Sequence, residues 1–109
     1  MKIVKKVWGT ERWIVNLSKY CGKILELKKD HHCSLHFHKI KDETFYVLSG
    51  RVKLTKGKKH IVMKPGSSIR IKPLEHHTFL GLEDSTIIEF STKHMESDSY
   101  RLSPSGKIK

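Results

Sequence analysis

The chain has 109 residues, of which 37% are hydrophobic and 30% are charged, and its formal net charge is +11. These values are typical of one soluble globular domain, and no apolar run is long enough to form a transmembrane helix. The first residues lack the apolar segment of a secretory signal. We therefore expect a single domain over residues 1–109 in the cytoplasm, with a polar tail that frays from about residue 103.

The positive charge is spread along the chain rather than collected in one helix or tail. The lysines within the predicted strand region are Lys23, Lys28, Lys53, Lys56, Lys58, Lys59 and Lys64. Lysines on the outer faces of strands discourage edge-to-edge aggregation, and no nucleic-acid-binding motif accompanies them. We therefore expect a solvated surface without a nucleic-acid partner. The same field would attract an anionic small molecule.

Short extended runs alternate with turn signals, and no stretch has a convincing helical pattern. The predicted strands span 13–16, 22–27, 34–38, 44–48, 52–55, 60–63, 68–71, 78–80 and 86–90. Gly50, Gly57 and Gly66 mark tight turns between them. The pattern predicts an all-β fold of two facing antiparallel sheets.

Side-chain alternation along these runs predicts which residues face the interior. The residues assigned to the core are Phe45, Phe79, Phe90, Ile69 and Ile71. A short turn is predicted at residues 9–12, between the two tryptophans. Only Cys21 and Cys33 could form a disulfide, and neither lies in a C-x-x-C motif, so we expect two reduced thiols.

Three histidines and one glutamate have the spacing of a metal site. His36 and His38 share one face of a predicted strand because side chains alternate with a period of 2. Glu43 follows on the next extended segment, and His77 comes from a distant strand. Imidazole nitrogens suit Zn, Fe and Ni, and a carboxylate extends the choice to Mn. We predict one divalent metal ion (Zn, Mn, Fe or Ni) held by these four residues, with His76 as the substitute if the strand register shifts by one.

The other imidazole and charged side chains are interpreted as surface groups. This interpretation covers His31, His32, His94, Arg70, Lys39, Lys41 and Lys53, of which Arg70 and the three lysines are also candidate anion contacts. No motif places Glu75, Glu83 or Glu89, so the catalytic residues, including a general base, remain unknown.

Residues 36–50, HFHKIKDETFYVLSG, resemble the first motif of the cupin superfamily: His-x-His, four residues, Glu, six residues, Gly. Residues 66–77, GSSIRIKPLEHH, resemble the second motif, Gly-x5-Pro-x-Gly-x2-His. The chain departs from the pattern at Asp30 and Leu74, where the family has glycine, and at Lys72, where it has proline. The resemblance implies a cupin double-stranded β-helix, a jelly-roll barrel, and a homodimer.

Four further segments resemble the sugar-linked, mannose-6-phosphate-isomerase-like group of that superfamily. They read WGTERWIV, KYCGKIL, CSLHFHKIKDETFYVLSG and GLEDSTIIEFST. This resemblance implies a sugar or sugar phosphate as the small-molecule substrate, and an aldose–ketose isomerase or epimerase with the metal as Lewis acid. A metal-dependent dioxygenase and a non-enzymatic sugar-binding or regulatory module are the alternatives, and the fold alone does not choose among them.

Overall fold

The computed structural model describes residues 2–108. Within this range the chain forms thirteen β-strands and one 3₁₀ turn at Glu96–Asp98. The strands are β1 Lys2–Lys6, β2 Gly9–Asn16, β3 Cys21–Leu27, β4 His31–His32, β5 His36–Phe37, β6 Glu43–Ser49, β7 Val52–Lys56, β8 Lys59–Met63, β9 Ser68–Ile71, β10 His77–Gly81, β11 Ser85–Ser91, β12 Tyr100–Arg101 and β13 Gly106–Lys107.

These strands form two antiparallel sheets. The first sheet has the order β1-β2-β3-β11-β6-β9. The second has the order β12-β5-β10-β4-β13, with β7 paired to β10 and β8 paired to β7. Residues 2–108 contain no α-helix. The predicted all-β jelly roll of two antiparallel sheets is confirmed.

The core lies between the sheets and follows the alternation of the strands. In β3, and in β6 as far as Val47, every second residue is buried, as expected for strands with one face toward the interior. Phe45, Phe79 and Ile71 are buried as predicted. The assignment of Phe90 to the core is wrong, because this side chain is 56% exposed. Its neighbour Glu89 takes the inward position on β11, so Phe90 faces outward.

The first two strands form a hairpin that the sequence did not predict. β1 pairs with β2 along its whole length, so the turn predicted at residues 9–12 is wrong. The chain reverses instead just before Gly9, where a Cβ atom would overlap the carbonyl oxygen of Glu26. Trp8 is buried against Phe79 with the rings edge to face at 5.4 Å. Trp13 lies further along β2 and lines a cavity between the sheets.

Both positions at which the chain replaces an expected glycine have left-handed backbone. The φ angle is +64° at Asp30 and +73° at Leu74. Aspartate tolerates this region because its short polar side chain bonds locally, but a bulky residue is strained there. The amide of Leu74 donates to the carbonyl of His38 at 2.6 Å, which holds the turn beside the first histidine pair. The fold therefore imposes the glycine-type geometry even though the sequence lacks the glycine.

Replacement of Leu74 by glycine should raise the free energy of unfolding by about 0.5–1 kcal/mol. Relief of the left-handed strain, about 1–2 kcal/mol, exceeds the added backbone entropy of glycine, about 0.5–1 kcal/mol. The leucine side chain is 60% exposed, so its removal costs little burial. Urea unfolding of Leu74→Gly and of Leu74→Ala, which keeps the Cβ atom, measures the effect. A glycine variant no more stable than the alanine variant would show that the turn is unstrained.

Part of the C-terminal tail that is predicted to fray is paired in a sheet, because β13 pairs with β4. The single-domain and fraying predictions stay predictions. Cys21 and Cys33 are free and buried. Burial raises the pKa of the Cys33 thiol to about 11. None of the helical segments in the described part of the chain is long and apolar enough to cross a membrane.

Candidate metal centre

The fold brings the four predicted ligand residues to one place. His36 on β5 pairs directly with His77 on β10, and His38 follows β5 by one residue. One ring nitrogen from each histidine lies within 4.8 Å of the other two, so the three histidines could hold an ion. Glu43 enters from the other sheet, at the start of β6. Its Oε2 lies 3.0 Å from His77 Nε2 and 3.4 Å from His38 Nε2.

Backbone carbonyls fix the orientation of all three imidazoles. His36 Nδ1 bonds to the carbonyl of Ser34 at 2.7 Å. His38 Nδ1 bonds to the carbonyl of Asp98 at 3.0 Å, and His77 Nδ1 to that of Glu75 at 3.0 Å. A carbonyl oxygen only accepts, so each Nδ1 must carry the hydrogen. In the neutral ring Nε2 then keeps its lone pair, which is the tautomer that a metal ligand requires.

The donor atoms lack the partners that buried polar atoms normally have. Within residues 2–108, Glu43 Oε2 and His77 Nε2 are both buried without a hydrogen-bond partner. A carboxylate facing imidazole lone pairs is repulsive, and an uncompensated buried charge is costly. A divalent cation among these atoms would accept electron pairs from all of them. The residues present therefore fit a metal ion.

The protonation of the cluster suits the same chemistry. Burial, helped by the neighbouring His77, lowers the pKa of His36 to about 3, so this ring is neutral at neutral pH. Burial by itself would raise the pKa of Glu43. His38 and His77, in the form that carries a proton on Nε2, and Lys41 outweigh that effect and hold the pKa well below its ordinary value. Metals bind neutral imidazole and ionised carboxylate, which are the forms that His36 and Glu43 take here.

A buried ion-pair network supports Glu43 from behind. Lys41 Nζ lies 3.4 Å from Glu43 Oε1 and 2.6 Å from Glu89 Oε2. The same ammonium lies 3.1 Å from His94 Nδ1. Burial opposes the charged form of Lys41, yet Glu89 and Glu43 hold its pKa above the ordinary value. Lys41 therefore remains charged and compensates two buried carboxylates.

The surface interpretation is wrong for two lysines and one histidine. Lys23 is 1% exposed and Lys41 is 3% exposed. The His94 side chain is 10% exposed and packs edge to face against Trp13 at 4.9 Å. Glu89, which no motif places, is buried beside Lys41. Strand alternation could have indicated that Lys23 and Glu89 face inward. Each lies on a predicted strand between two residues whose side chains face outward.

Asp98 shapes the loop between the histidine pair and Glu43. Its buried carboxylate accepts the backbone N–H groups of Lys39, Ile40 and Lys41 at 2.9–3.2 Å. Its own carbonyl accepts from His38 Nδ1. One residue therefore sets the path of the loop and the orientation of a ligand. Sequence reasoning missed this role, because Asp98 lies in a segment whose composition is that of a polar tail.

Replacement of Asp98 by alanine should lower the free energy of unfolding by about 2–3 kcal/mol, since buried N–H groups of the loop lose their acceptor. Asp98→Asn keeps one acceptor oxygen and should fall between the alanine variant and the unaltered protein. Asp84→Ala is the matched control, because Asp84 accepts a single exposed N–H group, that of Lys29. Thermal or urea unfolding measures all three. Equal losses for the two alanine variants would contradict the clamping role.

Other predicted residues lie away from the cluster. His76 is exposed, and its ring stacks on Phe37 with centroids 4.5 Å apart, so His77 alone faces inward from this pair. Arg70 forms two hydrogen bonds with Asp42 at 3.0 and 2.6 Å and does not line the cavity. Lys39 is exposed and sits over the ring of Tyr100.

His36 and His38 open into a cavity of about 420 Å³ between the sheets. His36, His38 and Glu43 line one part of its wall, and Phe45 and Phe79 form an apolar part. The charged residues in the wall are Lys2, Lys6, Lys23, Lys41, Arg101, Glu11, Glu43, Glu89 and Glu96. The cavity therefore joins the candidate metal centre to a strongly charged surface.

Residues 23–90 match the family model of the cupin domain. The chain belongs to the cupin family. The match spans the strands that carry Glu43 and all three histidines, so the resemblance drawn from the two motifs is confirmed. No curated protein matches the chain in sequence.

Solved structures share this cupin fold at low sequence identity. KdgF from Halomonas sp. has a TM-score of 0.81 at 14% identity, with 89% of this chain and 90% of that chain covered. A cupin-superfamily sugar phosphate isomerase from Silicibacter pomeroyi has a TM-score of 0.70 at 22% identity, with 78% and 59% covered. Oxalate decarboxylase from Bacillus subtilis has a TM-score of 0.79 at 16% identity, with 93% and 30% covered. This cupin therefore spans about three fifths of the isomerase and under a third of the decarboxylase.

Proposed function

We propose that this cupin binds one divalent metal ion through His36, His38, Glu43 and His77 and uses it to act on a sugar or sugar phosphate. The observation that carries the proposal is a set of three imidazoles whose Nδ1 atoms are held by backbone carbonyls, and two of these rings face the unpartnered Oε2 of the ionised Glu43. Three nitrogens and one oxygen fit Zn, Mn, Fe or Ni. The reaction class we infer is aldose–ketose isomerisation or epimerisation.

A divalent ion in this site would supply a Lewis acid that polarises a carbonyl or hydroxyl oxygen of the ligand. The chain's own residues hold the ligand and exclude water. Phe45 and Phe79 present an apolar wall beside the cluster. Lys41 keeps Glu43 ionised and fixed, so the carboxylate does not need to reorganise when a ligand binds.

Glu89 is the residue that we assign to proton transfer. Its Oε2 is held by Lys41 at 2.6 Å and by the hydroxyl of Ser91 at 3.1 Å. Its side chain is 6% exposed and lines the cavity. Glu89 lies on β11 opposite Phe45 of β6, the strand that carries Glu43, and adjacent strands are about 5 Å apart. In this proposal the Glu89 carboxylate accepts a proton from a ligand carbon.

The sugar assignment draws support from the charge of the cavity and from the resemblance to the sugar-linked group. The sugar phosphate isomerase from Silicibacter pomeroyi shares the fold.

We also propose that the protein is a homodimer and that it lies in the cytoplasm. The dimer is proposed because β1 forms an open edge and because Leu48 and Phe90 expose apolar surface on the first sheet. Sedimentation as a monomer at micromolar concentration would contradict the dimer.

Replacement of His36 or His77 by alanine should weaken zinc binding at least a hundredfold, because each ring supplies one of few donor atoms. His76→Ala is the matched control, since this ring is adjacent but faces outward. Calorimetric titration of chelator-treated protein with zinc measures the affinities, and circular dichroism reports whether each variant is folded. A His76→Ala variant that loses zinc as strongly as His77→Ala would contradict the ligand set.

A phosphorylated sugar should bind with an affinity that falls as salt concentration rises, whereas its neutral parent should respond little. Both affinities should fall after chelation. Calorimetry with mannose 6-phosphate and mannose, with and without chelator, tests these expectations. Binding that ignores chelation would remove the metal from the mechanism, and the absence of binding by a panel of sugars and sugar phosphates would contradict the substrate class.

A further inference from the structure

Lys23 is a buried lysine that the metal centre does not use. It occupies an inward position at the middle of β3, between the buried residues Cys21 and Leu25. Its side chain is 1% exposed. An ammonium group removed from water is costly unless acceptors replace the water. The position therefore requires an explanation beyond packing.

The ammonium of Lys23 has one carboxylate within 4.0 Å among residues 2–108, and that carboxylate is beyond hydrogen-bonding distance. The nearest carboxylate oxygen, Glu11 Oε1, is 3.7 Å away and accepts the indole N–H of Trp13 at 3.0 Å. The ammonium sits over the Trp13 ring, 4.1 Å from its centroid. Glu89, which pairs with Lys23 across the strands, has its Oε2 2.6 Å from Lys41 Nζ. Burial lowers the pKa of Lys23, as expected for an under-compensated ammonium group.

Two further lysines face the same part of the cavity. Lys2 Nζ lies 4.4 Å from the Trp13 ring centroid, and Lys6 Nζ lies 3.9 Å from Glu11 Oε2. Two ammonium groups thus lie near the Glu11 carboxylate and a third lies over the neighbouring Trp13 ring, which leaves an excess of positive charge on this wall. A phosphate group carries about 1.5 to 2 negative charges at neutral pH and offers three acceptor oxygens. Its charge and acceptors match the wall better than a carboxylate does.

We propose that Lys23, with Lys2 and Lys6, forms a phosphate subsite at the end of the cavity away from the histidines. The subsite deepens the proposed function, because it assigns the anionic end of the ligand to named residues. Lys23 pairs with Glu89, and Glu89 pairs with Phe45, so two strand spacings, about 10 Å of backbone, separate Lys23 from the strand of Glu43. Side chains converge from both strands, so one compact phosphorylated molecule reaches both sites.

Phosphate binding tests the subsite independently of the metal. The probe is inorganic phosphate, titrated into the chelator-treated 109-residue chain and followed by phosphorus NMR. Lys23→Met, which replaces the ammonium by an apolar side chain of similar length, should weaken phosphate at least tenfold. Lys28→Met is the matched control, because Lys28 follows the same strand but is exposed, and it should change nothing. Equal phosphate affinity in the two variants, or no binding by the unaltered protein, would overturn the proposal.

A second variant guards against a purely structural effect of Lys23. Glu11→Gln removes the carboxylate 3.7 Å from the ammonium and should tighten phosphate binding. A lysine that only supports packing would not produce this gain, so unchanged or weaker binding by a folded Glu11→Gln variant would overturn the proposal. Acetate serves as the carboxylate probe, and tighter binding of acetate than of phosphate would overturn the choice of phosphate. The titrations use chelator-treated protein, so the phosphate result does not depend on whether the metal assignment is correct.

Discussion

Imidazole lone pairs face the buried carboxylate of Glu43, and the rest of the site depends on this arrangement. Backbone carbonyls hold the Nδ1 hydrogens of His36, His38 and His77, so the second nitrogen of each ring is left without one. Two of those nitrogens meet Glu43 Oε2 at 3.0 and 3.4 Å. The imidazole nitrogens and the carboxylate oxygen are all electron-pair donors, and a cation bound among them would accept electron pairs from each of them.

Strand pairing and buried ion pairs around the site stabilise this arrangement of donor atoms in the interior. The antiparallel pair of β5 and β10 places two rings opposite each other, and the other sheet supplies the carboxylate. Lys41 compensates Glu43 and Glu89 together, which makes the buried charge tolerable. Asp98 ties down the connecting loop through its backbone amides. The site is therefore rigid before any ligand arrives, as electrostatic preorganisation requires.

The sequence predicted the parts of this site that depend on local period and motif spacing. Residues two apart on a strand share a face, which paired His36 with His38, and the spacing from Gly66 selected His77 over His76. The inward position of Lys41 and the place of Asp98 depend on contacts between distant segments. Composition suggests a solvated surface for lysines. Alternation along β3 turns Lys23 inward, whereas only the ion pairs with Glu43 and Glu89 show that Lys41 is inside. Leu74 is a different case, since the family pattern predicts glycine geometry and the structure keeps that geometry without the glycine.

The most direct test of the central claim is elemental analysis of protein purified without added metal. Convergence of three imidazoles and one carboxylate predicts about one divalent ion per chain, in the range of metals that nitrogen-rich sites prefer. A double variant with His36→Ala and His77→Ala should contain no stoichiometric metal while keeping the β-type circular dichroism spectrum. Metal-free protein that also fails to take up zinc, manganese, iron or nickel on addition would contradict the metal centre.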